Sequence, residues 1–320
     1  MTKTSVAVIG AGFVGGSLAQ VLVERGLTVY NYDKAGKCAV GAEKAQIRYF
    51  TDCSGAPDYR NVENIRELVE SCSPKEGFSG IYFCCLPTPM WDDGECDLSI
   101  VESVLEEFAV IPGNHIVVVK STIPPGSTEK WNKKYENTGL RICFSPEFLT
   151  EKNAVDDMRN QNRIILGGPR PYINVVKQLF QTAFPNVPII KTSSSTAEFV
   201  KYFTNIQLMA RVVLSCELWQ IANKLDELGY NVDYDKIVEY AKLDPRLGGT
   251  HMNVPGENGI PGGRGHCFPK DLSAMVFMSN AVGMKPKLME AIRDKNLELV
   301  PPEHRDWEKM VGRAYRKRDV

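Results

Sequence analysis

A short apolar, β-branched run from Ser5 to Ile9 ends in Gly10-Ala-Gly12-Phe-Val-Gly15, after which Leu18, Val21 and Leu22 recur at helical spacing. That is a strand, a glycine-rich turn and a helix in immediate succession, and few folds accept it. The next apolar run, Thr28 to Tyr32, ends at Asp33, where the acidic residue of a dinucleotide fold must lie to bond the ribose 2′-hydroxyl. Either signal alone is weak; together they predict a nicotinamide cofactor site, against the alternative of a structural glycine turn with an incidental acid. Asp33 favours NAD over NADP because a 2′-phosphate would meet a carboxylate, and Lys34 and Lys37 work against that preference.

Further strands are predicted at Ile81 to Leu86, Ile116 to Lys120, Arg141 to Phe144, Arg163 to Leu166 and Val187 to Ile190. The pattern is that of an α/β doubly wound, Rossmann-type parallel-sheet domain over residues 1–192. Turn and polar residues fall just past these strands: Gly10, Asp33, Pro87-Thr88-Pro89, Ser121-Thr122 and Ser145-Pro146-Glu147. Open α/β sheets bind ligands at the carboxyl ends of their strands, so these segments are expected to line one crevice. Each taken singly is equally well a turn or a helix cap. Glu147 and Glu151 lie four apart, so a helical turn there would put both carboxylates on one face.

The second half is helical. Ser195-Thr-Ala-Glu198 reads as a capping box, and from there to Gly229 no proline or glycine interrupts a nearly all-round apolar pattern. A helix of roughly nine turns is expected, buried by its own domain or by another subunit. Lys201 and Asn205 lie one turn apart within it, either facing a polar cleft or paired structurally; Arg211 and Glu217 suit structural roles. Helices are also expected at Tyr234 to Leu243 and Lys287 to Leu299, giving an all-helical central domain over 193–299 and a charged tail over 300–320. The basic end, Arg313 to Val320, reads as a solvated tail.

Between those helices the connection Asp244 to His266 is too rich in glycine and proline for a regular element, and a loop of that length is usually functional or disordered. It leads into Cys267. Pro269 suits the first turn of a helix running from Lys270 to Val282 and closed by Gly283, which places Cys267 at a helix N-terminus. There the unpaired N–H groups and the helix dipole favour an anion, so the thiol is expected to serve as a nucleophile. The bland alternative is that it is a small buried hydrophobe.

With 320 residues, 43% hydrophobic and 24% charged, the chain is long enough for two domains. A net charge of -1 points away from nucleic acid or an anionic membrane as the partner. No leader and no membrane-spanning run is read, so a cytoplasmic protein is expected. Nine irregularly spaced cysteines fit reduced thiols, and neither they nor His266 have metal-ligand spacing.

Taken together, Gly10/Gly12/Gly15 with Asp33, Cys85-Leu-Pro-Thr-Pro89, Lys120-Ser-Thr-Ile-Pro-Pro-Gly126, Ser145-Pro-Glu-Phe-Leu-Thr-Glu151, Lys201 with Asn205, Asp244-Pro-Arg246 and Cys267-Phe-Pro-Lys-Asp271 resemble the NAD-dependent nucleotide-sugar 6-dehydrogenases, the UDP-glucose/GDP-mannose dehydrogenase family. The likeness covers roughly Val6 to Leu299. It implies oxidation of a sugar C6 alcohol to a carboxylate with two hydrides delivered to NAD, UDP-glucose to UDP-glucuronate first among the substrates. Alternatives are GDP-mannose or UDP-N-acetylmannosamine as substrate, or a catalytically silent NAD-binding homologue.

The resemblance implies Cys267 as nucleophile, Lys201 and Asn205 as oxyanion stabilisers, Asp271 and Thr122 as holders of a proton-relaying water, Glu151 as the group that helps water cleave a thioester, and Glu147 in support. For the cofactor it implies Gly10, Gly12, Phe13, Val14, Gly15, Asp33, Pro87, Thr88, Ser121, Thr122, Glu151 and Lys270. For the substrate it implies Phe148, Leu149, Thr150, Glu151, Lys201, Asn205, Arg246 (reaching a neighbouring subunit's site), Gly259, Gly263 and Arg264. A homodimer through the long helix is expected.

Two departures stand out. Gly263 and Arg264 occupy positions where the family carries an aromatic residue and then a glycine, so the Arg264 cation is expected near a substrate phosphate. Family members also continue into a second α/β domain that holds the nucleotide, whereas this sequence stops after the helical region, so weak substrate affinity is expected.

Overall fold

The computed structural model describes residues 5–34, 39–43, 46–49, 59–61, 64–72, 80–256 and 259–318. Lys37 lies outside them. The chain divides into two compact units, Met1–Thr88 with Leu98–Lys201, and Pro89–Asp97 with Tyr202–Val320.

The first unit begins with β1 (Ser5–Ile9), α1 (Phe13–Glu24) and β2 (Thr28–Tyr32), followed by an antiparallel pair β3 (Ala39–Glu43) and β4 (Gln46–Tyr49), then β5 (Tyr59–Asn61), α2 (Ile65–Cys72) and β6 (Gly80–Cys84). β7 (Met90–Trp91) belongs to the second unit. The first unit resumes with α3 (Ser99–Ala109), β8 (His115–Val119), α4 (Ser127–Lys134), β9 (Leu140–Phe144), α5 (Ala154–Arg159), β10 (Ile164–Gly167), α6 (Tyr172–Ala183) and β11 (Ile189–Thr192).

Eight strands form one sheet in the order β11-β10-β9-β8-β6-β1-β2-β5. All neighbours are parallel except β9 and β10, which run antiparallel, a departure from the parallel sheet expected from sequence. Side-chain alternation places Val6, Val8, Phe83 and Val118 in a core shared with α1 and α6, and Ala7, Ile9, Tyr82 and Val117 in a second core with α2 and α3. Burial on both faces is why these strands read as unbroken apolar runs. Because β2 and β6 flank β1 on opposite sides, the strand order reverses there, and the crevice at that reversal is where such sheets take ligands.

The long helix α7 (Ser194–Glu227) starts in the first unit and continues in the second. Its start differs from the capping box read in the sequence. Ser193 Oγ accepts the Thr196 N–H at 3.2 Å, whereas the Glu198 carboxylate accepts the N–H groups of Gly126 at 2.6 Å and Thr128 at 2.9 Å, capping α4 instead of its own helix. The second unit then has α8 (Tyr234–Ala241), α9 (Cys267–Ala281), α10 (Lys287–Leu299), a 3-10 turn (Pro302–His304), α11 (Asp306–Lys309) and β12 (Tyr315–Arg316). Its core gathers Met209, Val213, Leu272, Leu299, Val300 and Trp307.

The segment after α10 is not a solvated tail. Trp307 is buried, β12 pairs in parallel with β7, Arg316 pairs with the buried Asp97, and Arg318 meets Asp93 at 3.0 Å. Arg316 and Arg318 each find an acid some two hundred residues earlier in the chain, a pairing that local charge pattern does not encode.

Candidate active site

At the dinucleotide turn the glycines have separate reasons to be there. Gly10 has φ +91°, and a Cβ on it would lie 2.6 Å from the Cys85 carbonyl oxygen; one on Gly15 would lie 1.8 Å from the Gly10 oxygen. Gly12 is different. A Cβ there would meet nothing within 4 Å, and Gly12 is the N-cap of α1, a helix with no side-chain cap and no acid in its first turn. Phe13 and Val14 open that turn, half-buried. Asp33 Oδ2 accepts the Ala11 N–H at 2.8 Å, which orients the carboxylate beside the turn.

Beyond β6 and β8 the hydroxyls act as stitches. Ser121 Oγ accepts the Leu86 N–H at 3.0 Å and donates to the Leu86 oxygen at 2.7 Å, and Thr88 Oγ1 donates to the Thr122 carbonyl at 2.7 Å. These bonds tie two strand ends together and set the backbone of Thr122; Pro87 is exposed beside them.

After β9 no helical turn forms at Glu147 to Glu151, so the shared face expected of the two acids is absent. Glu147 is buried with Oε2 3.1 Å from Lys120 Nζ, and its Oε1 accepts the Phe148 N–H at 2.8 Å, while Glu151 is exposed. A buried ion pair that also fixes the backbone into Phe148 is a structural anchor for this loop. Thr150 is anchored further on, its N–H and hydroxyl both donating to Asp157 Oδ2, at 2.7 and 2.6 Å. Phe148, Leu149 and Thr150 line a cavity of about 440 Å³ together with residues from Asn153 to Arg163. The Phe148 ring lies 4.3 Å from the Arg163 guanidinium carbon and 5.5 Å from Lys201 Nζ. Lys201 is 9% exposed, and among the described residues no carboxylate pairs with it.

The second unit holds the densest cluster of chemistry. Helix α9 begins at Cys267 itself, three residues before the expected start, with no side-chain cap at its N-cap His266. Cys267 is exposed, the one cysteine of that class among the described residues. By contrast burial pushes the thiols of Cys72, Cys84 and Cys143 up to about 12 and that of Cys96 to about 11. One helical turn after Cys267, the fully buried Asp271 accepts from Asn205 Nδ2 on Oδ2 at 2.6 Å and from Lys270 Nζ on Oδ1 at 2.6 Å. Burial by itself would lower the Lys270 ammonium, but the Asp271 charge, Cys96 and Cys267 outweigh it and hold Lys270 above its ordinary value.

The loop into Cys267 is pinned from α10. The Gly263 N–H donates to Asn296 Oδ1 at 2.7 Å, and Asn296 Nδ2 donates back to the Gly263 oxygen at 3.0 Å. Gly259, φ +72°, stands in open space. Arg264, expected near a substrate phosphate, has its guanidinium bonded within the unit: Nη2 bonds Asp306 Oδ2 at 2.7 Å and Nε bonds the His304 oxygen at 3.2 Å. Exposed Arg246 folds onto its own neighbour, Nε 2.9 Å from Asp244 Oδ1.

Comparison with known proteins places both units. Residues 4–184 match the model of the UDP-glucose/GDP-mannose dehydrogenase family, NAD binding domain, and residues 195–298 match the central domain of the same family. The chain belongs to the UDP-glucose/GDP-mannose dehydrogenase family. Among its relatives, UDP-glucose 6-dehydrogenase AglM of Haloferax volcanii is 29% identical over 315 residues, covering 91% of this chain and 69% of that protein. UDP-N-acetyl-D-mannosamine dehydrogenase of Pyrococcus horikoshii is 27% identical over 286 residues, covering 86% and 64%. A solved UDP-glucose dehydrogenase from Pyrobaculum islandicum superposes with TM-score 0.76 at 25% identity, covering 92% of this chain and 68% of that one. The chain thus spans about two thirds of the length of these relatives.

NAD is the cofactor of this family's first domain, and the residues present fit it. The uncapped N-terminus of α1, with open space at Gly12, leaves backbone N–H groups for a pyrophosphate, and the oriented Asp33 carboxylate suits a ribose hydroxyl. Sequence reasoning missed Lys120 and Asn296. Lys120 opens one of the quoted motifs, but its role, like that of Asn296, is defined by a partner elsewhere in the chain. Among the described residues no cluster of acids, histidines and cysteines could hold a metal ion, and no helix is long and apolar enough to cross a membrane.

Proposed function

We propose that this nucleotide-sugar dehydrogenase oxidises UDP-glucose to UDP-glucuronate through a covalent intermediate on Cys267. The observation that carries the reading is the exposed Cys267 at the uncapped start of α9, one turn from the buried Asn205–Asp271–Lys270 cluster. A thiol so placed lies against the positive end of a helix dipole, and its neighbourhood is ordered by charge-assisted bonds.

NAD, held by the N-terminus of α1 and by Asp33, would supply the hydride acceptor for each of the two oxidations. In the first, the C6 hydroxyl proton passes to a water held by Asp271. Asp271 already accepts from Asn205 and Lys270, yet a carboxylate has lone pairs enough for a third donor. The aldehyde that results has no good hydride to give until its carbon is tetrahedral, so the Cys267 sulfur adds to it and forms a thiohemiacetal. Lys201, a buried cation without a carboxylate partner among the described residues, and the second N–H of Asn205 stabilise the oxyanion. Oxidation gives a thioester, which water cleaves with help from Glu151, releasing the carboxylate and the thiol. Phe148 to Thr150, Gly259 and Gly263 hold the sugar nucleotide by backbone. Glu147 supports Phe148 to Thr150 through Lys120, and Lys270 is held in place by its pair with Asp271.

A panel of UDP-glucose, GDP-mannose and UDP-N-acetylmannosamine, read by NADH absorbance, tests the substrate assignment. Turnover with UDP-glucose well above the other two supports it; turnover confined to another sugar redirects it, and none with any of them while NAD still binds identifies a silent homologue.

The same reading includes a dimer and a cytoplasmic site of action. Leu214, Leu218, Ile221 and Leu225 are exposed along α7 at spacings of four and three, with exposed Leu228 just past its end, the pattern of a seam that packs against a second copy of itself. Among the described residues the buried cysteines form no disulfide, as suits a reducing compartment.

A further inference from the structure

The loop that delivers Cys267 is held by the segment that follows α10. Asn296, on α10, takes both backbone groups of Gly263, and Cys216 Sγ accepts the Gly262 N–H at 3.2 Å. Arg264, three residues before Cys267, spans the next gap: its guanidinium reaches the Asp306 carboxylate at 2.7 Å and the His304 carbonyl at 3.2 Å. The far end of that link is itself fixed. Arg305 donates to the Val300 oxygen at 3.1 Å and the Leu297 oxygen at 3.0 Å, and Trp307 is buried in the core of the unit.

Two guanidinium bonds, one to the Asp306 carboxylate and one to the His304 carbonyl, restrain both the position and the direction of a loop, which a single backbone bond does not. Gly265, φ +74°, is the one residue between Arg264 and His266, and it has nothing within 4 Å of a Cβ to steady it. Arg264 is thus the side chain through which the segment after α10 reaches this loop, two residues before the N-cap of α9. We propose that Asp306, acting through Arg264, is a positioning residue for Cys267, so that the chain beyond α10 is part of the apparatus that presents the thiol. The inference rests on the reading of Cys267 as the nucleophile; the physical link from Asp306 to the loop is measured separately.

Full-length Asp306→Asn, Asp306→Glu, Arg264→Ala and the Asp306→Asn/Arg264→Ala double variant are compared with the wild type. Two quantities are read: hydrogen exchange at the Gly262 and Gly263 amides, and kcat and KM with UDP-glucose and NAD. The expected result is exchange about tenfold faster and kcat about tenfold lower in Asp306→Asn and in Arg264→Ala, the KM for NAD unchanged, and no further loss in the double variant. Asp306→Glu, which keeps the charge, restores most of both. Wild-type exchange and kcat in Asp306→Asn would overturn the proposal, and so would a double variant that loses the product of the two single effects. If no nucleotide sugar is turned over, the proposed function fails. The exchange rates then still decide the link: unchanged rates overturn it, and faster rates uphold it.

Discussion

The carboxylate of Asp271 is shared between Asn205 on α7, at 2.6 Å, and Lys270, its own neighbour on α9, at 2.6 Å. Both ionised partners are buried, so the charge of one depends on the other.

That dependence has a sign in pH. The Lys270 ammonium is held above its ordinary value in the folded protein, so the folded state keeps its proton longer than the unfolded chain. The stabilisation is fully present below the unfolded lysine pKa of about 10.4 and is lost as pH rises through the higher folded value. Urea midpoints measured from pH 8 to 12 should fall steeply above about pH 10 in the wild type. Lys270→Met should be less stable at pH 8 and should lose most of that additional alkaline fall; an equally steep fall in the variant would show that Lys270 is not its source.

Glu198 gives a prediction about the first unit alone. Its side chain caps α4 through two N–H groups, and it is fully buried. Glu198→Ala leaves those donors without a partner and should cost about 2–4 kcal/mol, since each buried donor left unpaired costs roughly 1–3 kcal/mol. Thermal unfolding of the variant checks this, and a melting temperature within a degree or two of the wild type would contradict it.

Asp33 should set cofactor choice. Replacement by Asn keeps the shape but removes the charge that would repel a 2′-phosphate and weakens the bond to a ribose hydroxyl. NAD affinity should drop by about tenfold or more, and the preference for NAD over NADP should shrink with it. Titration of both cofactors into Asp33→Asn measures the ratio. An unchanged ratio would remove Asp33 from the site.

Much of this was legible in the sequence, because strands buried on both faces announce themselves as apolar runs and a helix start announces itself by proline and glycine. The seven strands read from sequence are all present, and Cys267 does sit at a helix N-terminus. What escaped was pairing at a distance. Glu198 has the spacing of a cap for its own helix but serves α4; Arg264 has the charge for a phosphate but serves Asp306; Arg316 looks like a free end but meets Asp97. In each case local chemistry supplied the right kind of group, and tertiary packing chose its partner. The antiparallel β9–β10 pair escaped for the same reason, since strand direction leaves no mark on side-chain alternation.

The exposed seam of α7 predicts association. Leu218→Glu with Ile221→Glu puts two charges at its middle without touching the core of the unit. Sedimentation velocity should show a dimer for the wild type and a monomer for the variant, whereas dimers in both would move the interface elsewhere.

The central claim is that the second oxidation passes through sulfur. Counting NADH formed per UDP-glucose consumed tests it most directly, in the wild type and in Cys267→Ser. The covalent route requires two NADH per sugar for the wild type, and for Cys267→Ser no more than one, because an alcohol yields its hydride without the thiol and an aldehyde does not. Two NADH per sugar from Cys267→Ser would contradict it.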